Sequence, residues 1–235
     1  MRLASSLPLA WRILTHKPMR LAMSLVGIGF AVLVMFMEVG FFNGLNDSQA
    51  NLTTAMDADL VMLHRDRVHL MRWELFYRAW LYQCLGNPDV AEVVPVFEGN
   101  VPLKASDTGL NKIVSVLAFP PGNHALRPRG FDEVGHELAK RQTVLFDRLS
   151  RQIYGPIAMG RDVEILGRHL TVGGLVELGP NFSRDGFVFM SASDWLGLYP
   201  DALPFRPSYG FIRAKSGVDV QALKAALLRV LPADV

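Results

Sequence analysis

The chain has 235 residues, with 24 Lys and Arg against 22 Asp and Glu, for a net charge of +2. That charge is too weak for a nucleic-acid surface, so no nucleic acid is expected as a partner. A single cysteine, Cys84, excludes an internal disulfide scaffold and any cysteine-based metal cluster, and the length suits one sizeable domain plus an appendage.

Residues 1–20 hold Arg2, Arg12, Lys17 and Arg20 and no carboxylate. Leu7, Leu9, Ala10, Trp11, Ile13 and Leu14 alternate with Arg12 and His16 until Pro18 breaks the pattern. This predicts a short amphipathic elbow helix along the inner leaflet, anchored by Trp11, with a disordered basic tail as the alternative.

From Leu21 to Phe42, 17 of 22 residues are apolar and Glu38 alone is charged. As a helix the segment is about 33 Å long, enough for a hydrocarbon core of about 30 Å. It is longer than a signal-peptide core and is followed by Phe-Phe-Asn-Gly rather than a small-residue cleavage site. It also lacks the polar stripe of a core helix, so a transmembrane span over 21–42 is the expectation. Arg12, Lys17 and Arg20 precede it, whereas the first basic residue after it is Arg65, so the N-terminus is expected in the cytoplasm and the main domain outside. Glu38, near the outer end, reads as a side chain that reaches headgroups and water rather than a proton relay.

Beyond the span, Leu45, Ala50, Leu52 and Met56 recur near helical spacing, which predicts a helical stalk over 43–57. Residues 58–235 form the main domain. Asp59–Leu63 reads as a strand and Leu70–Leu85 as a helix ended by Gly86-Asn87-Pro88. On that helix Trp73, Phe76, Tyr77 and Trp80 fall at i, i+3, i+4 and i+7, giving an aromatic face that is either core or a docking surface. Strands follow at Val93–Phe97 and Lys112–Ala118, and the prolines and glycines of Phe119–Gly130 mark a loop. Phe131–Tyr154 is expected to be helical in its second half. A second β-rich block holds Asp162–Leu166, His169–Leu178 and Phe187–Met190. In its middle run Leu170, Val172, Val176 and Leu178 alternate onto one face, and Gly173-Gly174 marks a bulge or bend. Ser191–Leu198 reads as a capped short helix. Tyr209–Ala214 is a strand, Lys215-Ser216-Gly217 a turn, and Asp219 caps a helix whose Val220, Leu223, Leu227, Val230 and Leu231 make a stripe stopped by Pro232. The fold class is α+β.

Catalytic signatures do not emerge. His136-Glu137-Leu138-Ala139-Lys140 resembles a zinc-protease helix, but lysine stands where the second histidine must be. No Walker loop, Gly-x-Ser-x-Gly elbow or dinucleotide fingerprint occurs, so no cofactor, metal or enzymatic activity is expected.

The basic elbow, the single span, Gly40-Phe41 followed by Leu45-Asn46-Asp47-Ser48, and the Ala58-Asp59-Leu60-Val61 strand together resemble the permease subunits of DevC-type, MacB-like bacterial ABC exporters. Gly160-Arg161-Asp162-Val163-Glu164-Ile165-Leu166-Gly167 and Thr171-Val172-Gly173-Gly174-Leu175-Val176 are similar to the second lobe of their extracytoplasmic domain. The resemblance implies a two-lobed domain on an inner-membrane anchor, working with a cytoplasmic ABC ATPase and a periplasmic adaptor (membrane fusion) protein, and a homodimer when complete. Such permeases carry three further spans, and no second run of about 20 apolar residues occurs here, so the sequence reads as the N-terminal part of a longer permease. The alternative is a stand-alone membrane-tethered extracytoplasmic binding or scaffold module.

Overall fold

The computed structural model describes residues 11, 16–67, 74–104, 108–123, 125–181, 183–198 and 206–235, with residues 46–50 described by their backbone alone. The elbow helix, Arg12 and Trp73 lie outside the described residues. Two compact units divide the chain, residues 1–47 and 48–235.

Helix α1 runs unbroken over Pro18–Thr54. Proline at its first position costs nothing, because that N–H has no intrahelical partner in any case.

The second unit carries eight strands among the described residues: β1 Leu60–Met62, β2 Val90–Lys104, β3 Asn111–Phe119, β4 Thr143–Asp147, β5 Asp162–Ile165, β6 Arg168–Val176, β7 Phe187–Ser191 and β8 Tyr209–Ala214. Strand β2 builds both lobes. Its first half pairs antiparallel with β8 down to Val96↔Tyr209, and from Phe97↔Ala118 onward it pairs with β3 instead. In the first lobe the order is β1-β8-β2, all antiparallel. The helices that follow α1 are α2 Arg78–Gln83, α3 Phe131–Val134, α4 Ala192–Leu198 and α5 Val220–Leu228, of which α2 and α5 cover one face of that sheet. In the second lobe β2, β3, β7, β4, β6 and β5 pair in turn, and Leu103↔Ile165 with Lys104↔Glu164 joins β5 back to β2. The six strands therefore close into a small barrel, which leaves no free edge.

Strand alternation sorts the apolar residues into three cores. Val93 and Ile212 face the helices with Met62, Leu81, Leu223 and Leu227. Their neighbours Val94 and Phe211 face a core shared with the barrel's outer surface, where Leu117, Phe119, Leu145, Phe187 and Phe189 meet Leu52 and Ala55. Val116, Val144, Phe146, Val172, Val188 and Met190 fill the barrel.

Four expectations are corrected. Of the helix expected over Leu70–Leu85, residues 70–73 lie outside the described residues, residues 74–77 are not helical, and Arg78–Gln83 with the 3₁₀ turn Cys84–Gly86 is what forms among the rest. The second half of Phe131–Tyr154 holds strand β4 rather than a helix. Thr-Val-Leu-Phe-Asp is buried on both faces, so its run shows no period to read from sequence. Gly173 does form a bulge: Val144 pairs with Val172 and Leu145 with Gly174. The extra residue reverses the alternation beyond it, so Leu170 and Val172 point into the barrel while Val176 and Leu178 join the opposite core rather than sharing their face. Finally, α5 ends at Leu228, which leaves Val230 exposed outside the expected stripe. The caps hold: Ser191 Oγ accepts from Asp194 N at 3.0 Å at the start of helix α4, Ala192–Leu198, and Asp219 Oδ1 accepts from Gln221 N at 2.9 Å.

Candidate functional site

The span within α1 covers Pro18–Leu45, and none of its most apolar stretch is buried by protein. Met23, Leu25, Val26, Phe30, Met35, Phe36, Phe41 and Phe42 all project outward, as hydrocarbon requires. Ser24 satisfies its hydroxyl inside the helix by donating to Arg20 O at 3.0 Å. Lys17 and Arg20 are exposed at the N-terminal end, and Glu38 is exposed within two turns of Leu45.

At its other end α1 enters the core of the second unit. Leu52 is 2% exposed and Ala55 is buried beside it. Ala55 O accepts from Arg127 N at 2.7 Å, and Asp57 N donates to Ala125 O at 3.0 Å. The Asp57 carboxylate reaches Arg213 at 3.1 Å and Arg127 at 3.4 Å, and Arg127 also bonds Asp132. These last pairs are exposed and position the chain more than they stabilise it.

The aromatic residues do not share one helical face. Phe76 is fully buried against Leu81 and Gly210, where a Cβ on the glycine would come within 3.0 Å of the Phe76 ring. Tyr77, one residue on, turns outward: the Arg206 guanidinium lies 4.3 Å from its ring centroid and donates to its hydroxyl at 2.5 Å. Trp80 packs edge-on to Tyr77 at 5.1 Å and covers the helix-side core in part. What remains outward is an Arg-and-Tyr surface of Tyr77, Arg78, Tyr82 and Arg206.

Two buried polar centres escape any local sequence signal. At the point where β2 changes partner, the Glu98 carboxylate takes Arg67 Nη2 at 2.7 Å and the Tyr209 hydroxyl at 2.9 Å on Oε2, and Arg184 Nη2 on Oε1. Both arginines and the glutamate are almost wholly buried. Its partners lie 31 to 111 residues away from Glu98, which directly follows the apolar Val93–Phe97 run. At the end of β4, Asp147 accepts from the N–H groups of Leu149, Leu178 and Gly179 at 2.9 to 3.1 Å. Desolvation pushes its pKa above the ordinary carboxylate range despite these donors.

The His136–Lys140 segment is a 3₁₀ turn in which Glu137 pairs with Lys140 and His136, which leaves its carboxylate engaged and its pKa lowered, with the Lys140 hydrogen bond the largest cause. Among the described residues no three His, Cys, Asp or Glu converge as metal ligands. Among the described residues strand β1 pairs with β8 alone, and beside it lies an apolar groove of about 340 Å³ between β1 and α5, with Arg65 and Lys224 on its walls.

Comparison with known proteins places this architecture. Residues 21–230 match the family model described as the MacB-like periplasmic core domain. Among solved structures, the fold is similar to the extracellular domain of the noncanonic ABC-type transporter YknZ from Gram-positive bacteria, with 10% identity and a TM-score of 0.51 over 73% of this chain and 90% of that one. It is similar also to the periplasmic region of MacB from Actinobacillus actinomycetemcomitans, with 12% identity and a TM-score of 0.50 over 72% and 80%. At such identities the likeness is one of fold. None of the curated proteins matches the chain.

Proposed function

Because the chain belongs to the family of MacB-like periplasmic core domains, we propose that it is a permease (membrane) subunit of a bacterial ABC exporter that couples a partner ATPase to export across the inner membrane. What supports this reading is the match of residues 21–230 to that family model, in a chain whose Pro18–Leu45 helix is long and apolar enough to cross a membrane.

ATP chemistry belongs to the partner, since the sequence holds no glycine loop with a lysine to cradle phosphates. A single helix cannot enclose a polar route through hydrocarbon, so further spans of the transporter must line it. Lys17 and Arg20 hold the N-terminus in the cytoplasm, which puts the two-lobed domain on the side where a periplasmic adaptor would meet it and where a second copy would complete a homodimer.

The test is reconstitution in liposomes of the partner ATPase with the transporter's remaining spans, with and without this chain. Adding the chain should raise ATP hydrolysis and permit export. Equal hydrolysis in both preparations would overturn the reading.

A further inference from the structure

The buried cluster around Glu98 is poorly built as a source of stability. Among the described residues it holds two guanidinium groups and one carboxylate, an excess of positive charge, with Glu98 and Arg184 each 6% exposed and Arg67 8%. Tyr209 cannot supply the missing negative charge, because burial and the neighbouring Glu98 carboxylate keep its hydroxyl protonated. Arg67 Nε, Arg184 Nε and Arg184 Nη1 have no hydrogen-bond partner among the described residues. Desolvating such a group costs several kcal/mol that the ion pairs only partly return, and apolar residues of equal volume commonly do better.

What the cluster has is direction. Glu98 follows directly on the change of partner of β2, and its two oxygens divide between the lobes. Oε2 is held from the sheet lobe, by Tyr209 of β8 and by Arg67, which follows β1. Arg67 is fixed in turn by donating to Ser208 O at 3.1 Å and to the Tyr209 hydroxyl at 2.7 Å, with its guanidinium 4.3 Å from the Tyr209 ring centroid. Oε1 is held from the barrel, by Arg184 in the loop before β7. The Glu98 N–H donates to Ser208 Oγ at 3.1 Å, so main chain and side chain are pinned together. The apolar core between the lobes attracts without direction, whereas this set of bonds has one geometry.

We propose that the Glu98–Arg67–Arg184–Tyr209 cluster is a pin that fixes the angle between the sheet lobe and the barrel, at a net cost in stability.

The test uses the full chain in detergent with spin labels at Arg168→Cys on the barrel and Gln221→Cys on α5, both exposed. Cys84, buried and with its thiol pushed up to about 11 by desolvation, stays unlabelled. In the combined Glu98→Leu, Arg67→Met, Arg184→Met variant the melting temperature should equal or exceed that of the parent, while the distribution of label distances broadens. The single Glu98→Gln variant should melt below the parent, since it removes the one negative charge that both guanidiniums share. A triple variant with the parent's narrow distribution overturns the proposal. So does one that melts lower, which would make the cluster a source of stability.

Discussion

Deleting Gly173 tests the register argument most severely. The bulge reverses the alternation of β6, so its removal would restore an unbroken period of two and carry every residue after it to the other face of the sheet. Val176 and Leu178, 1% and 7% exposed, would leave the core between the lobes. Losing their burial costs about 1.5–3 kcal/mol each. Leu178 and Gly179 would also withdraw their N–H groups from Asp147, stripping a buried carboxylate of two of its three N–H donors at a further cost of about 1–3 kcal/mol. The sum, roughly 4–9 kcal/mol, is comparable to the whole stability of a domain, about 5–15 kcal/mol. The control is Gly173→Ala, which keeps the register but sets a Cβ 2.4 Å from Thr143 Cγ2 and should cost about 1–3 kcal/mol. Thermal melts followed by circular dichroism in detergent would compare the two. The deletion should abolish the cooperative transition that the alanine variant keeps, and a deletion variant as stable as Gly173→Ala would refute the reading of β6.

Alkaline phosphatase fused after Val235 should be active in cells, given Lys17 and Arg20 before the span, and a stable but inactive fusion would reverse the topology. Phe76→Ala should cost about 3–5 kcal/mol and Tyr77→Ala less than about 1 kcal/mol by denaturant titration, since only the first ring is fully buried; equal losses would contradict that division. Asp147 has its pKa raised by burial, so the fold favours its protonated form: that stabilisation is complete below the unfolded value of about 3.9 and is lost as pH rises through the folded one. The advantage of the parent over Asp147→Asn, read as the difference in melting temperature, should therefore shrink between pH 4 and pH 7, and an advantage that grows with pH would show that the three N–H donors outweigh desolvation.

What could be read from the sequence follows from how local each cause is. The span needs only 17 apolar residues in 22, and the caps at Ser191 and Asp219 need only their own turn. Strand β4 was hidden because both of its faces are buried, which removes the period that distinguishes strand from helix. The aromatic spacing from Trp73 to Trp80 is a true 3.6-residue pattern, yet residues 74–77 within it are not helical. Tertiary packing decided there: Phe76 N donates to Pro207 O, and the ring fills the space that Gly210 leaves open.

The same distinction separates the membrane anchor from the polar centre. Lys17, Arg20 and Glu38 draw their meaning from the bilayer, whose dimensions are fixed in advance, so their roles can be argued from position along the chain. Arg67, Glu98, Arg184 and Tyr209 draw theirs from a meeting point that exists only after β2 has crossed from one sheet to the other. No spacing rule connects residues that far apart, yet the crossing itself creates the need. In the proposed role, a carboxylate gripped from both sides adds the direction that apolar packing around the shared strand does not have. An acidic residue inside an apolar strand, otherwise a defect of patterning, is the trace that such a crossing leaves in a sequence.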